Sequence, residues 1–265
     1  MTSAGRGGEV AVPPGVLDLA STADRVCVLT GAGMSAESGI PTFRDAQVGL
    51  WERFDPTELA TPRAWAADPA RVWAWYAWRA TLVRRARPND GHLALARWQS
   101  RPGVVLSIAT QNVDDLHERA GADVLAHVHG SLFALRCSVC ARPGDADYPD
   151  LPEPVARLDP PACPACGGPV RPGVVWFDEA LPEDDFLAAV DAARQADLVL
   201  VVGTSGLVHP AATIPHLAGA RGVPVVEIDP APTAVTEAAD EVWRATAATA
   251  LPALVARLGG VGGRG

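Results

Sequence analysis

The sequence predicts an α/β fold: an open, Rossmann-like parallel sheet into which a helical insertion and a small cysteine-bearing domain are spliced. Three observations predict it. Four short runs, Val26–Leu29, Val104–Ala109, Ala196–Gly203 and Val223–Ile228, are almost wholly apolar, so they read as strands buried on both faces. The last two flank a helical pattern over about Ala211–Ala220, and buried strand, helix, buried strand means a parallel pair. The first run delivers Gly31-Ala32-Gly33 at its end, and Gly31, Gly33 and Ala36 fit Gly-x-Gly-x-x-Gly/Ala, in which missing side chains let backbone approach a pyrophosphate.

Taken in order, residues 1–15 are rich in glycine and proline and read as a loose N-terminal segment, and Val16–Ala20 as a short helix. After the glycine turn, Ser38-Gly39-Ile40-Pro41 breaks any helix within a few residues. A hydride-transferring dehydrogenase would instead have a long helix there and an acid on the next strand. The chain enters a loop, Thr42-Phe43-Arg44-Asp45, that can lie over a ligand. A helical insertion is expected over about 50–101, with Pro62 and Pro69 at helix starts and a turn at Pro88–Gly91. The strand ending at Ala109 runs into Gln111-Asn112-Val113-Asp114-Asp115, polar residues at the carboxyl edge where open α/β sheets bind ligands. A Pro-rich stretch over about 131–172 has too few apolar residues for a core of its own and needs a staple. The glycine-rich end, 259–265, reads as a disordered tail.

Composition narrows the classes further. With 265 residues and 48% hydrophobic content, the chain can fill a sizeable core. No apolar run approaches the roughly 18 residues that cross a bilayer, and Met1–Val10 lacks the pattern of an export signal, so a cytoplasmic protein with no membrane partner is expected. A net charge of −9 argues against a direct, sequence-independent grip on nucleic acid. Every basic side chain besides histidine is arginine; the chain has no lysine.

Four of the five cysteines form two CxxC pairs, Cys137/Cys140 and Cys163/Cys166, 22 residues apart. Four thiolates satisfy a tetrahedral Zn²⁺ and leave no open position for water, so one structural zinc is expected, in a small zinc-binding domain. His129, followed by Gly130-Ser131 at the end of a short strand, can reach a cleft with a pKa suited to general base work. His127 is its competitor, since a regular strand would turn both to one face.

The phrase GAGMSAESGIPTFR, then QNVDDLHERAG, HGS and the CxxC pairs, resembles the sirtuins, NAD-dependent protein-lysine deacylases, in that order and over about residues 24 to 255. The resemblance implies a catalytic domain over 16–258 and NAD as a consumed co-substrate, with the acyl group passing to ADP-ribose as nicotinamide leaves. It implies His129 as the base on a ribose hydroxyl, Asn112 and Asp114 positioning ribose and water, Phe43 shielding the anomeric carbon and Arg44 orienting the cofactor. It extends the cofactor set to Gly31, Ala32, Gly33, Ala36, Thr42, Gln111, Gly203, Thr204, Ser205, Asp229 and Ala247. Asp229 stands where many sirtuins have Asn. Arg171–Glu179 resembles the segment that binds an extended acyl-lysine peptide, so Val175 and Phe177 are expected to touch it; Asp178 stands where the family often has Gly. Acyl-lysine proteins or peptides are the implied partners, and a monomer is the default.

Tyr76 and Arg79, three apart on a helical pattern, project from one face and can hold a carboxylate together. Tyr-x-x-Arg at this place, with the small Ala46, resembles the class III sirtuins, which remove succinyl, malonyl and glutaryl groups. A guanidinium that binds a carboxylate bidentately would be left unpaired by acetyl, the poorer substrate on this reading. Mono-ADP-ribosyl transfer uses the same cofactor with another acceptor, and a non-catalytic NAD-sensing or zinc-ribbon module is the alternative outside enzymes.

Overall fold

The computed structural model describes residues 10–41 and 59–261. Six parallel strands form the main sheet: β1 (Arg25–Thr30), β2 (Val105–Thr110), β3 (Val124–His127), β6 (Leu198–Val202), β7 (Val225–Ile228) and β8 (Glu241–Trp243), in the order β3-β2-β1-β6-β7-β8. Strand order therefore reverses between β1 and β6, the switch point at which such sheets open a crevice. A single helical turn, α6 (Leu116–Arg119), joins β2 to β3, and between β3 and β6 a separate antiparallel pair is inserted, β4 (Gly130–Cys137) and β5 (Val170–Val174).

Alternation along the strands feeds two cores, because successive side chains leave opposite faces. Val26, Val28, Ile108, Leu198, Leu200 and Val226 pack on one face under α1 (Pro14–Thr22), α5 (Asp90–Gln99) and α9 (Ala247–Val261). Cys27, Leu29, Ala109, Val199, Val201 and Val225 pack on the other, under α7 (Glu183–Arg194) and α8 (Ile214–Gly219). Cys27 is a core residue; burial pushes its thiol up to about 12.

A third core joins the inserted helices to the cysteine-bearing strands. In α3 (Pro62–Ala67) and α4 (Pro69–Arg85) each proline takes a first-turn position, where no N–H is missed, and Thr61 and Asp68 cap the starts. Trp73 and Trp75 of α4 are about 1% exposed and bury against Leu132, Leu135, Tyr148, Leu151 and Val170. Each such side chain contributes about 1.5–3 kcal/mol of burial. Trp73 stacks on Tyr148 with ring centroids 4.6 Å apart. Thr81 Oγ1 accepts from Leu151 N at 3.0 Å, and Arg84 donates to Tyr148 O at 2.8 Å. The Pro-rich stretch thus draws its apolar partners from α4, so insertion and cysteine module are one body. The last helix of the expected insertion, α5, packs instead on the main sheet with α9.

The described parts of two end segments are more ordered than their composition suggests. Within the expected loose segment 1–15, Val10 and Val12 pack on the first core and α1 already begins at Pro14, because a proline at a helix start needs no N–H. Within the expected tail 259–265, α9 carries on through Val261, since two glycines at a helix end weaken it without stopping it. The strand β8 and the full length of α9 were not read from sequence. None of the helices among the described residues is long and apolar enough to cross a membrane.

Candidate active site

The carboxyl ends of β1, β2, β6 and β7 present most of the expected residues on one edge of the sheet. Beyond β1 the chain makes a single helical turn, α2 (Gly33–Ala36), and breaks at Gly39, whose φ of 83° is a conformation open to glycine. Gly31 and Gly33 earn their place differently from the expectation. Gly33 N donates to Gly203 O at 2.8 Å, and a side-chain carbon at Gly33 would lie 2.7 Å from Gly203 Cα. One at Gly31 would lie 2.6 Å from Thr204 Cβ. The space that the glycines leave empty is filled by the turn after β6, so the two turns mesh at the switch point. Gln111 adds a side-chain bond to Thr204 Oγ1 at 3.1 Å. Asp229 follows β7, half-buried, and its carboxylate accepts from Ala231 N at 3.0 Å. That loop is held by Arg244, which donates to Ala231 O at 2.9 Å and to the buried Glu227 at 2.7 Å. Ala247 opens α9 and is 3% exposed. Thr42, Phe43, Arg44 and Ala46 lie outside the described residues.

His129 stands in the turn between β3 and β4, because β3 ends at His127. The shared-face expectation for the two histidines fails for that reason. His127 turns to Glu118, with Nε2 2.7 Å from Oε1, and this bond raises its pKa. His129 Nδ1 is 3.1 Å from Gln111 O. A carbonyl only accepts, so Nδ1 carries the proton and Nε2 holds the lone pair. Nε2 is buried with no hydrogen-bond partner among the described residues. Burial also lowers the His129 pKa, which keeps the ring neutral. A neutral imidazole with a bare, sheltered lone pair is the arrangement a general base requires.

Asn112 and Asp114 are buried beside it and held by residues that sequence reasoning did not single out. Ser35 Oγ donates to Asp114 Oδ2 at 2.9 Å and accepts from Asn112 Nδ2 at 3.1 Å. Thr30 and Thr110 end adjacent strands in register, and Thr30 Oγ1 donates to Thr110 Oγ1 at 2.8 Å. Burial raises the Asp114 carboxyl, against the Leu116 N–H and the Ser35 hydroxyl, which lower it.

Beneath this floor lie two more buried histidines. Burial pushes His92 down to about 4 and His117 down to about 3. Both stay neutral in the folded protein, whereas in the unfolded chain each protonates near 6.5. Their folded values are depressed, so protons favour unfolding, and stability falls as pH drops below 6.5 towards those values. By pH 5 the expected loss is about 2 kcal/mol for each histidine. His127, with a raised value, works in the opposite sense above its ordinary pKa. Urea unfolding at pH 7 and pH 5 measures the difference; equal free energies at the two values would refute the assignment.

The helix α4 supplies Tyr76 and Arg79. Tyr76 is 2% exposed, and its Oη accepts from Trp176 Nε1 at 3.0 Å. Arg79 is half-buried with its guanidinium 5.0 Å from the Trp75 ring centre. Burial lowers its pKa, opposed by the nearby Tyr76 phenol and Asp114 carboxylate. Arg79 is thus the member of the pair that lies within reach of the Asp114 charge. Val175 N donates to His129 O at 2.8 Å and Phe177 N to Ala60 O at 2.9 Å, so these backbone donors tie the segment to the site rather than standing open. Phe177 is exposed, and Asp178 adopts a φ of 69°. That conformation favours glycine and tolerates aspartate, which accounts for the residue difference noted there.

The four cysteine sulfurs Cys137, Cys140, Cys163 and Cys166 lie within 4.8 Å of one another. Cys140 Sγ and Cys163 Sγ are 3.8 Å apart, and Cys137 Sγ and Cys166 Sγ 3.5 Å. A tetrahedron with Zn–S of about 2.3 Å needs sulfurs about 3.8 Å apart, so the set fits zinc.

A doubly wound sheet whose switch point faces a sheltered imidazole, with a four-cysteine staple alongside, defines a dinucleotide-handling protein of sirtuin type. The Sir2 family profile matches residues 31–210, and the chain belongs to the Sir2 family. It is 53% identical over 244 residues to NAD-dependent protein deacylase 2 of Corynebacterium efficiens, covering 91% of this chain and 95% of that one. It is 53% identical over 234 residues to the NAD-dependent protein deacylase of Mycobacterium tuberculosis, covering 88% and 98%. Among solved structures, a Sir2 homologue in complex with NAD superposes with a TM-score of 0.86 at 42% identity, covering 97% of each chain.

Proposed function

We propose that this sirtuin is an NAD-dependent protein-lysine deacylase that prefers acidic acyl groups, succinyl and malonyl above all, with glutaryl in the same class and acetyl a poorer substrate. NAD, when bound, supplies the ribose that receives the acyl group as nicotinamide departs. The orphaned Nε2 of His129 supports its role as base: it takes the proton of a ribose hydroxyl, while Nδ1 stays anchored to Gln111 O and fixes the ring. Asn112 and Asp114, pinned through Ser35, orient ribose and water. Gly31, Ala32, Gly33, Ala36, Thr42, Arg44, Gln111, Gly203, Thr204, Ser205, Asp229 and Ala247 complete the cofactor set, and Phe43 excludes water. Val175 and Phe177 line the peptide, and Ala46 leaves room for a longer acyl chain. Cys137, Cys140, Cys163 and Cys166 would hold one Zn²⁺, which shapes the small domain and takes no part in bond making.

The observation that carries the acyl preference is the neighbouring of Arg79 and Tyr76 on α4, with the phenol held by Trp176 Nε1 at 3.0 Å and the guanidinium lying 5.0 Å from the Trp75 ring centre. A cation held there can receive the acid at the tip of a succinyl chain. The test compares kcat/KM for acetyl-, malonyl-, succinyl- and glutaryl-lysine peptides in the parent and in Arg79→Met. The parent is expected to favour the acidic groups, and the substitution to reduce desuccinylation by about 10²-fold or more with far less effect on deacetylation. Equal losses on both peptides would refute the preference.

A further inference from the structure

Trp176 belongs to neither the cofactor set nor the peptide-lining set, yet it is fastened more thoroughly than packing requires. Its backbone N–H donates to Glu179 Oε2 at 2.9 Å. The guanidinium carbon of Arg171 lies 3.3 Å from its ring centre, and Arg171 in turn grips Glu179 through two bonds of 2.6 and 2.9 Å. Trp65 packs at 5.5 Å. The ring is about 2% exposed and presents its one polar atom, Nε1, to Tyr76 Oη at 3.0 Å.

The direction of that bond matters. An indole N–H can only donate, so Tyr76 Oη is the acceptor and its own proton is left to be donated elsewhere. A phenol without such a partner rotates its proton freely and can serve as donor or acceptor.

We propose that Trp176 is a specificity-determining positioning residue: by donating to Tyr76 Oη it commits the phenol proton to the carboxylate of an acidic acyl-lysine. The inference rests on the acyl preference proposed above and extends it from the residues that would meet the acid to the one that aims them. Donation into Oη also polarises the phenol, so its outgoing bond to an anion is strengthened. For an acetyl group, which brings no anion, the arrangement offers nothing. The clamp of Arg171 and Glu179 on Trp176 thereby links the peptide-lining segment to acyl selection on α4.

The test measures kcat/KM for succinyl- and acetyl-lysine peptides in Trp176→Phe, Tyr76→Phe, their double variant and Arg79→Met, with thermal melting as a folding control. Trp176→Phe is expected to lower the succinyl value about tenfold, the equivalent of one net hydrogen bond, and the acetyl value less than threefold. In the Tyr76→Phe background it should produce no further change in the succinyl-to-acetyl ratio. Should Trp176→Phe fail to fold, benzothienylalanine at position 176 keeps the ring shape and removes only the N–H, and the same ratio is read. Equal losses on both substrates, or a loss that persists without the Tyr76 hydroxyl, would overturn the inference. If Tyr76→Phe and Arg79→Met themselves leave the ratio untouched, the acidic-acyl preference falls and this inference with it; if they shift the ratio while Trp176→Phe does not, this inference alone falls.

Discussion

Replacing His129 by alanine is expected to lower turnover by about 10² to 10⁴-fold, the range lost with a positioned general base, while zinc content and the melting temperature hold. The separation of effects follows from geometry. Among the described residues the His129 side chain makes one hydrogen bond, Nδ1 to Gln111 O at 3.1 Å, and its other ring nitrogen touches no hydrogen-bonding group, while the backbone bond from Val175 N survives any side-chain exchange, so little of the fold hangs on the ring. The same geometry sets the pH dependence. Burial depresses the His129 pKa, so the neutral, base-competent ring persists on acidification and the acid limb of kcat/KM should lie below 6.5. Steady-state assays from pH 5.5 to 8 read both effects. Unimpaired turnover in the variant, or a parent acid limb well above neutrality, would remove His129 from the mechanism.

Stripping the metal from the cysteine cluster should destabilise the protein by about 5 kcal/mol or more, lowering Tm by about 10 to 20 °C, and should abolish deacylation. Without zinc, four thiolates within 4.8 Å repel one another or reprotonate, and the module between β4 and β5 loses its staple. The damage travels because Tyr148, Leu151 and Val170 share a core with Trp73, Trp75, Tyr76 and Trp176. Calorimetry before and after treatment with a strong chelator under reducing conditions, with metal analysis showing one zinc per chain beforehand, provides the check. Unchanged melting after complete metal loss would show that the cysteines do not staple the module. Cys163→Ser should reproduce the chelated state.

Much of the main sheet was legible because its buried strands carry a signal that needs no context. Val26–Leu29 and Leu198–Val202 are apolar on both faces, the pattern of a strand covered on both sides, as strands of a parallel sheet are. The polar edge at Gln111–Asp115 and the two CxxC pairs were legible through spacing alone. The remainder was hidden where structure depends on partners distant in sequence. The three-residue strand β8 is too short to show a period, and it exists because β7 offers an open edge. Residues 131–172 look coreless because their apolar partners lie some 70 positions earlier, on α4, as in the bond from Leu151 N to Thr81 Oγ1. The supports of the site were hidden for the same reason. Ser35 reaches Asn112 and Asp114, Trp176 reaches Tyr76, and nothing local to either residue announces the contact. His129 escaped the strand-parity argument because the strand stops two residues short of it.

The meshing of Gly33 with Gly203 limits how this chain can be re-engineered. Each residue occupies the volume where the other's side chain would grow, so no single exchange at either position can be tolerated on its own, and no paired exchange relieves both. On the cofactor set proposed above, attempts to recruit an altered dinucleotide would leave this junction alone and work at its rim, at Asp229 or the loop that Arg244 braces. The centre of the crevice is in that sense inherited whole, and adaptation is confined to its periphery.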